Sequence, residues 1–441
     1  MINKRYIFDS LYGVIHLPDF IWELLTTPEL QRLREIRLCN INSLCLTGGA
    51  NINRYEHAIG TCYLAIKCYE SWLFKKSMTE NEKKCLLIAA LFHDVANAAF
   101  GHSIEYVEGY KPEDSFFDIL LRRKGEGFTS NRAHFDVVFF GLVGTLHEIL
   151  IHKLKLTETD LKTISDAMQG KGIFGPLISN SVDLDNIDNV YRMAYHLGLI
   201  NDKSIPLKLA TSLIIENNKL KINDDCKYLL EDWFKTRKLL YEFLLLNPDE
   251  FSGKSMLTEA IENSKEVDRF PFRWYDTDFE LLKKLSQLSS ENAILIPRLM
   301  TGDLYGCISI LSTEKIEAYN KFTNTESRRA IEKEIEVIIR DKYSNLKSAL
   351  ISIHPILDVN KTERIIKIET TNNKFHEVGY SSKQLLLGVF FKNKYLNMNK
   401  LRSDFRGIAS IQDDIISFFK HKLHDTNIKQ LDLYDEASGY N

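Results

Sequence analysis

Cysteine is sparse in this chain and follows no pattern. Seven are spread over 441 residues, at Cys39, Cys45, Cys62, Cys68, Cys85, Cys226 and Cys307, and no two form a C-x-x-C pair. An odd, scattered set argues against a disulfide framework or a zinc knuckle and fits thiols kept reduced. Long apolar runs are missing as well. No stretch approaches the roughly 20 residues needed to span a bilayer, and the opening MINKRYIFDSLYGVIHL has no long apolar segment ending in a small-residue cleavage site. Charge of one sign is also absent as a bulk property. Lysine and arginine number 57 against 60 acidic residues, for a net charge of −3. That argues against nucleic-acid binding by bulk electrostatics, although a local basic groove stays open. There is no internal repeat and no low-complexity tract. A soluble, cytoplasmic protein with no membrane partner is expected, and a hydrophobic content of 44% suffices for one large core or two to three ordinary ones.

What is present is organised around TENEKKCLLIAALFHDVANAAFGHSIE, residues 79–105. Thr79 and Glu82 stand at capping-box spacing, and Leu86, Leu87, Ala89, Ala90 and Leu91 predict a mostly buried helix. His93 and Asp94 then fall side by side in apolar surroundings. Burying such groups without partners costs about 2–7 kcal/mol for a polar group and more for a charge. A divalent metal would satisfy both, since imidazole and carboxylate are ligands that hard and borderline cations accept. A hydrogen-bonded pair at a helix end would also do so, and two letters alone do not choose.

Residues 6–19 predict a short strand or hairpin around Gly13 leading into a helix. From Phe20 to Arg37 the apolar residues recur at helical spacing, with Thr27-Pro28 starting a second helix in which Arg32 and Arg34 form a solvated face or, if functional, point at an anion, which spacing does not decide. Asn53 and Glu56 predict the N-terminus of a long helix carrying Ile59, Cys62, Tyr63, Ile66 and Tyr69 on one face. Its first turn holds Arg54 and His57, which project from the same side, well placed for an anionic ligand. After an irregular charged segment, Phe135 to Leu150 predicts a buried helix with His134 at its start. His147 and His152 lie towards its end and read as structural. In SNSVDLDNIDNVYRMAYHLGL, residues 179–199, one face is apolar. Asp185, Asp188, Asn189, Arg192 and His196 form a polar stripe facing either water or a polar pocket. Asp183 and Asp185, at the start of this helix, would complete the coordination of a cation held by His57, His93 and Asp94. Beyond Ile200 the pattern stays helical, and residues 282–345 also read as helical. From Ser348 alternating β-branched runs predict a small α+β lobe, ending in a helix near Ile411–Leu423 and a tail.

Taken in order, R-Y-E-H (54–57), H-D (93–94), F-G-H-S-I-E (100–105) and S-V-D-L-D-N-I-D (181–188) resemble the HD-domain metal-dependent phosphohydrolases, and most of all their deoxynucleoside-triphosphate triphosphohydrolase (dGTPase-like) branch. YGVIHLPDFIWELLTTPELQRLREIR, GGANINRYEHAIG and F-K-T-R-K-L-L-Y (234–241) extend the resemblance over roughly residues 8–245, and more loosely to about 315. It implies a mostly α fold, with an HD-domain helical core over 1–315 and a smaller C-terminal α+β lobe and tail over 316–441. It implies His57, His93, Asp94 and Asp185 as ligands of a divalent metal ion, without distinguishing Mn, Mg, Fe, Ni or Zn. Arg54 and Arg237 would meet the phosphates, Asn189 and Tyr241 would line the substrate, and Asp94 and His134 would serve catalysis, His134 as proton donor. The implied reaction is in-line attack by water on phosphorus, releasing nucleoside and tripolyphosphate. A homo-oligomer is implied too.

The departures bear on substrate choice. A family glutamine that reads the sugar is Leu38 here. A tyrosine and an aspartate on the last ligand helix are Asn189 and Met193, a further pocket tyrosine is Leu245, and a histidine three positions after H-D is Asn97. Buried hydrogen-bonding sites discriminate steeply, so these changes are expected to redirect specificity. An HD-type phosphodiesterase or nuclease acting on another nucleotide or a single-stranded nucleic acid is the second reading. A nucleotide-sensing scaffold without turnover is the third.

Overall fold

The computed structural model describes residues 5–38, 51–71, 78–95, 97–104, 145–216, 218–265, 267, 276–392 and 405–431. The chain opens with the hairpin Ile7–Asp9 (β1) and Gly13–Ile15 (β2), paired antiparallel with Ile7 opposite Ile15. Gly13 takes the turn at φ 74, where a side chain would be strained. Two short helices follow, Asp19–Leu25 (α1) and Pro28–Arg32 (α2), the second starting on its proline as expected.

The helical core is then built from Arg54–Ser71 (α3), Glu80–Phe92 (α4), Glu158–Met168 (α5), Leu184–His196 (α6), Ile205–Ser212 (α7) and Tyr228–Leu246 (α8). Local chemistry sets the helix starts. Thr79 and Glu82 form the reciprocal capping box at α4, Asn53 Oδ1 accepts from Glu56 N at 2.9 Å at α3, and Asp183 caps α6. Each cap is worth about 1 kcal/mol. The helix α3 lies against α4, α6 and α7, and α6 lies against α8. Leu86, Leu87 and Leu91 of α4 meet Ile59, Cys62 and Leu64 of α3 and Ile187, Val190 and Tyr191 of α6 in one buried cluster. Each such side chain contributes about 1.5–3 kcal/mol of transfer free energy.

Two stretches expected to be helical are strands instead. Leu213–Glu216 (β3) and Lys219–Ile222 (β4) form a hairpin, and Gly306–Thr313 (β5) runs through the segment 282–345. Both are apolar runs too short to reveal a period, and tertiary pairing decides them. The rest of the lobe supplies Ile351–Val359 (β6), Ile366–Thr370 (β7), Phe375–Val378 (β8), Lys383–Phe391 (β9) and Lys429–Gln430 (β10). One sheet has the order β10-β5-β9-β6 and the other β3-β4-β7-β8, so each takes strands from both sides of residue 315.

Alternate residues of β9 face opposite layers. Leu386 and Phe390 pack with Pro248–Asn263 (α9), Asp278–Leu288 (α10) and Ser290–Thr301 (α11). Leu385 and Leu387 pack with Thr325–Lys342 (α12) and Phe405–Leu423 (α13). The second sheet docks on the helical core, because Ile222, Ile366 and Ile368 join the α3–α4–α6 cluster. The fold is mostly α with a smaller α+β part, and among the described residues no helix is long and apolar enough to cross a membrane.

Candidate metal centre

Three helices deliver four side chains to one point. His57 comes from the first turn of α3, His93 and Asp94 from the end of α4, and Asp185 from the first turn of α6. Ligand atoms of His57, His93 and Asp94 lie within 4.8 Å of one another. Asp185 Oδ1 is 3.0 Å from His57 Nε2 and 3.5 Å from His93 Nε2. Asp94 Oδ2 lies 3.8 and 3.9 Å from the same two nitrogens.

The hydrogen bonds behind the rings show how the front atoms can serve a cation. Nδ1 of His93 is 2.8 Å from Ala90 O, and Nδ1 of His57 is 2.7 Å from Asp188 Oδ1. Both neighbours are acceptors, so each Nδ1 carries the proton and each neutral ring presents a lone pair at Nε2. Those two Nε2 atoms are 3.1 Å apart. With both rings neutral, two lone pairs and two carboxylate oxygens converge on one point. Ligands set at right angles around a cation with bonds of about 2.1 Å are themselves about 3 Å apart, so the donor set fits a divalent ion. The electrostatics agree. Burial pulls the His57 imidazole down, but the carboxylates of Asp185 and Asp188 outweigh it and push its pKa up to about 10. Burial likewise opposes charge on His93, and Asp94 and Asp185 raise it. A site that would draw in a proton so strongly is one where a cation can take its place.

Behind the four donors stands a second layer in which the polar stripe of α6 faces protein rather than water. Asp188 and Arg192 are fully buried. Arg192 grips Asp188 through Nε at 2.8 Å and Nη2 at 3.0 Å, and its Nη1 reaches Asp9 at 2.9 Å and Glu56 at 2.8 Å. Glu56 also accepts from Ser10 Oγ. Burial opposes its charge, yet His196, Arg192 and Ser10 hold its pKa at about 2. Gly60 of α3 makes the approach possible, since a Cβ there would overlap Asp188 Oδ2 and Arg192 Nη2. The pairing of Asp188 with Arg192 at i, i+4 was visible in the sequence; its use in orienting His57 was not.

Arg54 is 4% exposed. Its Nη1 is 2.5 Å from Asp94 Oδ2 and its Nη2 donates to Leu38 O at 3.1 Å. It packs against Gly101, where φ is 47 and a Cβ would collide with the guanidinium. Asn97 Nδ2 holds the other oxygen of Asp94, so the residue standing in place of a histidine serves as a brace. Asp183 sits beside the centre as the cap of α6. Burial and the neighbouring Asp185 push its carboxyl up to about 7. Arg32 does not lie on a solvated face. It is 5% exposed and donates to Asp276 O, Val95 O and Asn97 O, which ties α2 to the turn after His93-Asp94.

Arg237 of α8 is 1% exposed, and its Nε and Nη1 meet no hydrogen-bond partner among the described residues. Its guanidinium lies 4.1 Å from the Tyr241 ring centroid. Asn189 and Tyr241 are half-buried, while Leu38, Met193 and Leu245 are buried. His134 lies outside the described residues.

An HD-domain family model matches residues 54–138. A deoxynucleoside triphosphate triphosphohydrolase SAMHD1 homolog of Dictyostelium discoideum is 26% identical over 340 residues, covering 71% of this chain and 62% of that protein. The uncharacterized protein YwfO of Bacillus subtilis is 25% identical over 262 residues, covering 59% and 55%. The SAMHD1 of Bos taurus is 26% identical over 267 residues, covering 54% and 44%. The match therefore spans 62% or less of these relatives' own length. In fold the chain is similar to a phosphohydrolase from Bacteroides thetaiotaomicron (TM-score 0.56, 16% identity, covering 87% of this chain and 99% of that one). It is also similar to a hypothetical protein from Aquifex aeolicus (TM-score 0.60, 18% identity, covering 92% and 99%). Residues 54–138 thus match an HD domain, and the chain as a whole resembles the HD-domain phosphohydrolases. Its curated relatives include deoxynucleoside triphosphate triphosphohydrolases.

Proposed function

We propose that this protein is a metal-dependent phosphohydrolase of nucleotides, and that its reaction is hydrolysis of a deoxynucleoside triphosphate to nucleoside and tripolyphosphate. The observation that carries the reading is the convergence of Nε2 of His57 and His93 with carboxylate oxygens of Asp94 and Asp185. A divalent ion held there polarises phosphoryl oxygens and lowers the pKa of water. Asp188 and Ala90 O fix the two rings, Arg54 and Asn97 fix Asp94, and Arg237 keeps two buried N–H groups for a phosphate oxygen. A buried unpaired guanidinium costs several kcal/mol, which an arriving phosphate recovers. Asn189 and Tyr241 are assigned to the substrate wall. The names of the SAMHD1 relatives support a deoxynucleoside triphosphate as substrate.

A second reading, a phosphodiesterase or nuclease on the same centre, is favoured by the buried apolar Leu38, Met193 and Leu245, which offer a sugar no hydrogen bond. Metal analysis combined with product analysis tests both. The purified protein is incubated with dNTPs, NTPs and short single strands in Mn²⁺ or Mg²⁺. Tripolyphosphate supports the first reading and mononucleotides from DNA the second. A protein that binds no ion and turns over nothing overturns both.

A further inference from the structure

The motifs that carry the sequence resemblance end near residue 315, and the C-terminal segment beyond them packs against α8 and the start of α6. Glu363 is fastened to α8: its carboxylate lies 2.9 Å from Lys238 Nζ and accepts from Tyr380 Oη, which lies 3.2 Å from Lys238 Nζ. Gly379, at φ 82, presses the same corner onto the helix, and a Cβ there would overlap both Arg364 O and the Phe234 ring. Phe234 lies one turn before Arg237 on α8 and Lys238 is its next neighbour, so the loop carrying Arg364 is seated beside Arg237. From there Arg364 Nη1 donates to Ser181 O at 3.1 Å, four residues before Asp185 in the chain. Trp233 Nε1 of α8 donates to Asn186 O at 3.3 Å, which sets α8 and the start of α6 side by side.

Two guanidiniums therefore flank the start of the ligand helix, and among the described residues no ion pair joins either of them to a carboxylate. Glu363 is held by Lys238 and Tyr380. Asp358 accepts from Lys361 N, Thr362 N, Thr362 Oγ1 and Gln384 Nε2. Resting on the phosphohydrolase reading above, we propose that Arg364 and Arg237 together form the cradle for the substrate's phosphate chain, with Arg364 a substrate-positioning residue contributed by the C-terminal lobe. Burial lowers the pKa of Arg237 and the charge of Arg364 lowers it further, against opposing effects of Tyr241 and Asp358. An oligophosphate bridging the two would relieve that repulsion through charge-assisted, bidentate hydrogen bonds.

The test is calorimetric titration with inorganic tripolyphosphate in EDTA, so that binding is read without the metal or turnover. Arg364→Gln, Arg364→Lys and Arg237→Gln are compared with the parent, alongside Tm and, for any hydrolysed nucleotide, KM and kcat. Arg364→Gln is expected to weaken tripolyphosphate binding by about 10- to 100-fold and to raise KM more than it lowers kcat, with Arg364→Lys recovering part of both. A role confined to the Ser181 carbonyl would lower Tm in Arg364→Gln and leave tripolyphosphate affinity unchanged, which overturns the proposal. Parent protein with no measurable tripolyphosphate affinity overturns it as well, even if nucleotides are hydrolysed. Arg364-dependent binding without hydrolysis of any nucleotide would leave the cradle standing and remove the assigned reaction.

Discussion

Asp188 Oδ1 lies 2.7 Å from Nδ1 of His57, and this contact decides which face of the imidazole looks toward the metal centre. Asp188 is in turn clamped by Arg192 from the next turn of α6. The side chain that aims His57 is therefore built from the same helix that presents Asp185.

Asp188→Asn is expected to weaken metal binding about 10- to 100-fold, the usual consequence of losing the partner that orients a ligating histidine. The amide can accept from Nδ1 only by turning its NH₂ towards the Arg192 donors, so one of the two contacts fails. Metal content and a direct titration with Mn²⁺ or Ni²⁺ read the effect. A folded variant that takes up the ion as tightly as the parent would remove Asp188 from this role.

Gly60→Ala isolates the close approach of α3 and α6. Alanine in a helix interior is ordinarily favoured over glycine by about 1 kcal/mol. Here the added methyl would strike Asp188 Oδ2 and Arg192 Nη2, and overpacking of that kind costs about 1–3 kcal/mol. Urea unfolding should show a net loss of stability together with weaker metal uptake. A variant more stable than the parent would contradict the packing described for this pair.

Much of this was legible in the residues and some was not, for physical reasons. The caps of α3 and α4 are local, so Asn53, Thr79 and their partners could be read directly. His57, His93, Asp94 and Asp185 were singled out together by the resemblance of their motifs, and the structure brings them together. The place of Arg32 was not legible because its acceptors, Asp276 O, Val95 O and Asn97 O, are distant in sequence. The β3–β4 hairpin and β5 were missed because short β-branched runs obey either period until a partner strand selects one. Asp9 and Glu56 meet at Arg192, and Ser10 and His196 meet at Glu56, from distant parts of the chain, and no spacing announces such a meeting.

The cysteines of the helical core should be inert at neutral pH. Burial pushes the thiols of Cys62 and Cys85 up to about 12, and Cys68 higher still. Below about pH 10 almost none is thiolate, the reactive form. Native protein treated with iodoacetamide at pH 8 should leave all three unlabelled, and modification should rise only after unfolding, as mass spectrometry of peptides would show. Prompt alkylation of Cys62 in folded protein would contradict the packing of α3.

A pH effect remote from the metal centre is expected at His354. This residue is 1% exposed in β6, with its ring edge-on to Phe251 at 5.7 Å. Burial depresses its pKa far below the ordinary value, and the charges of Arg328 and Lys254 add to the effect. Folded His354 therefore stays neutral while the unfolded chain takes up a proton near pH 6.5. Between those two values the unfolded state binds more protons, so stability is fully present above about pH 6.5 and falls as the pH drops below it. One group contributes up to about 1.4 kcal/mol per pH unit. The loss of unfolding free energy between pH 7.5 and 5.5 should accordingly be smaller in His354→Gln than in the parent, by about 1.4 kcal/mol. Because the comparison is a difference of differences, the cost of the substitution itself cancels, and so do the other groups titrating over the same range. Equal pH slopes in the two proteins would show that His354 accepts its proton in the folded state.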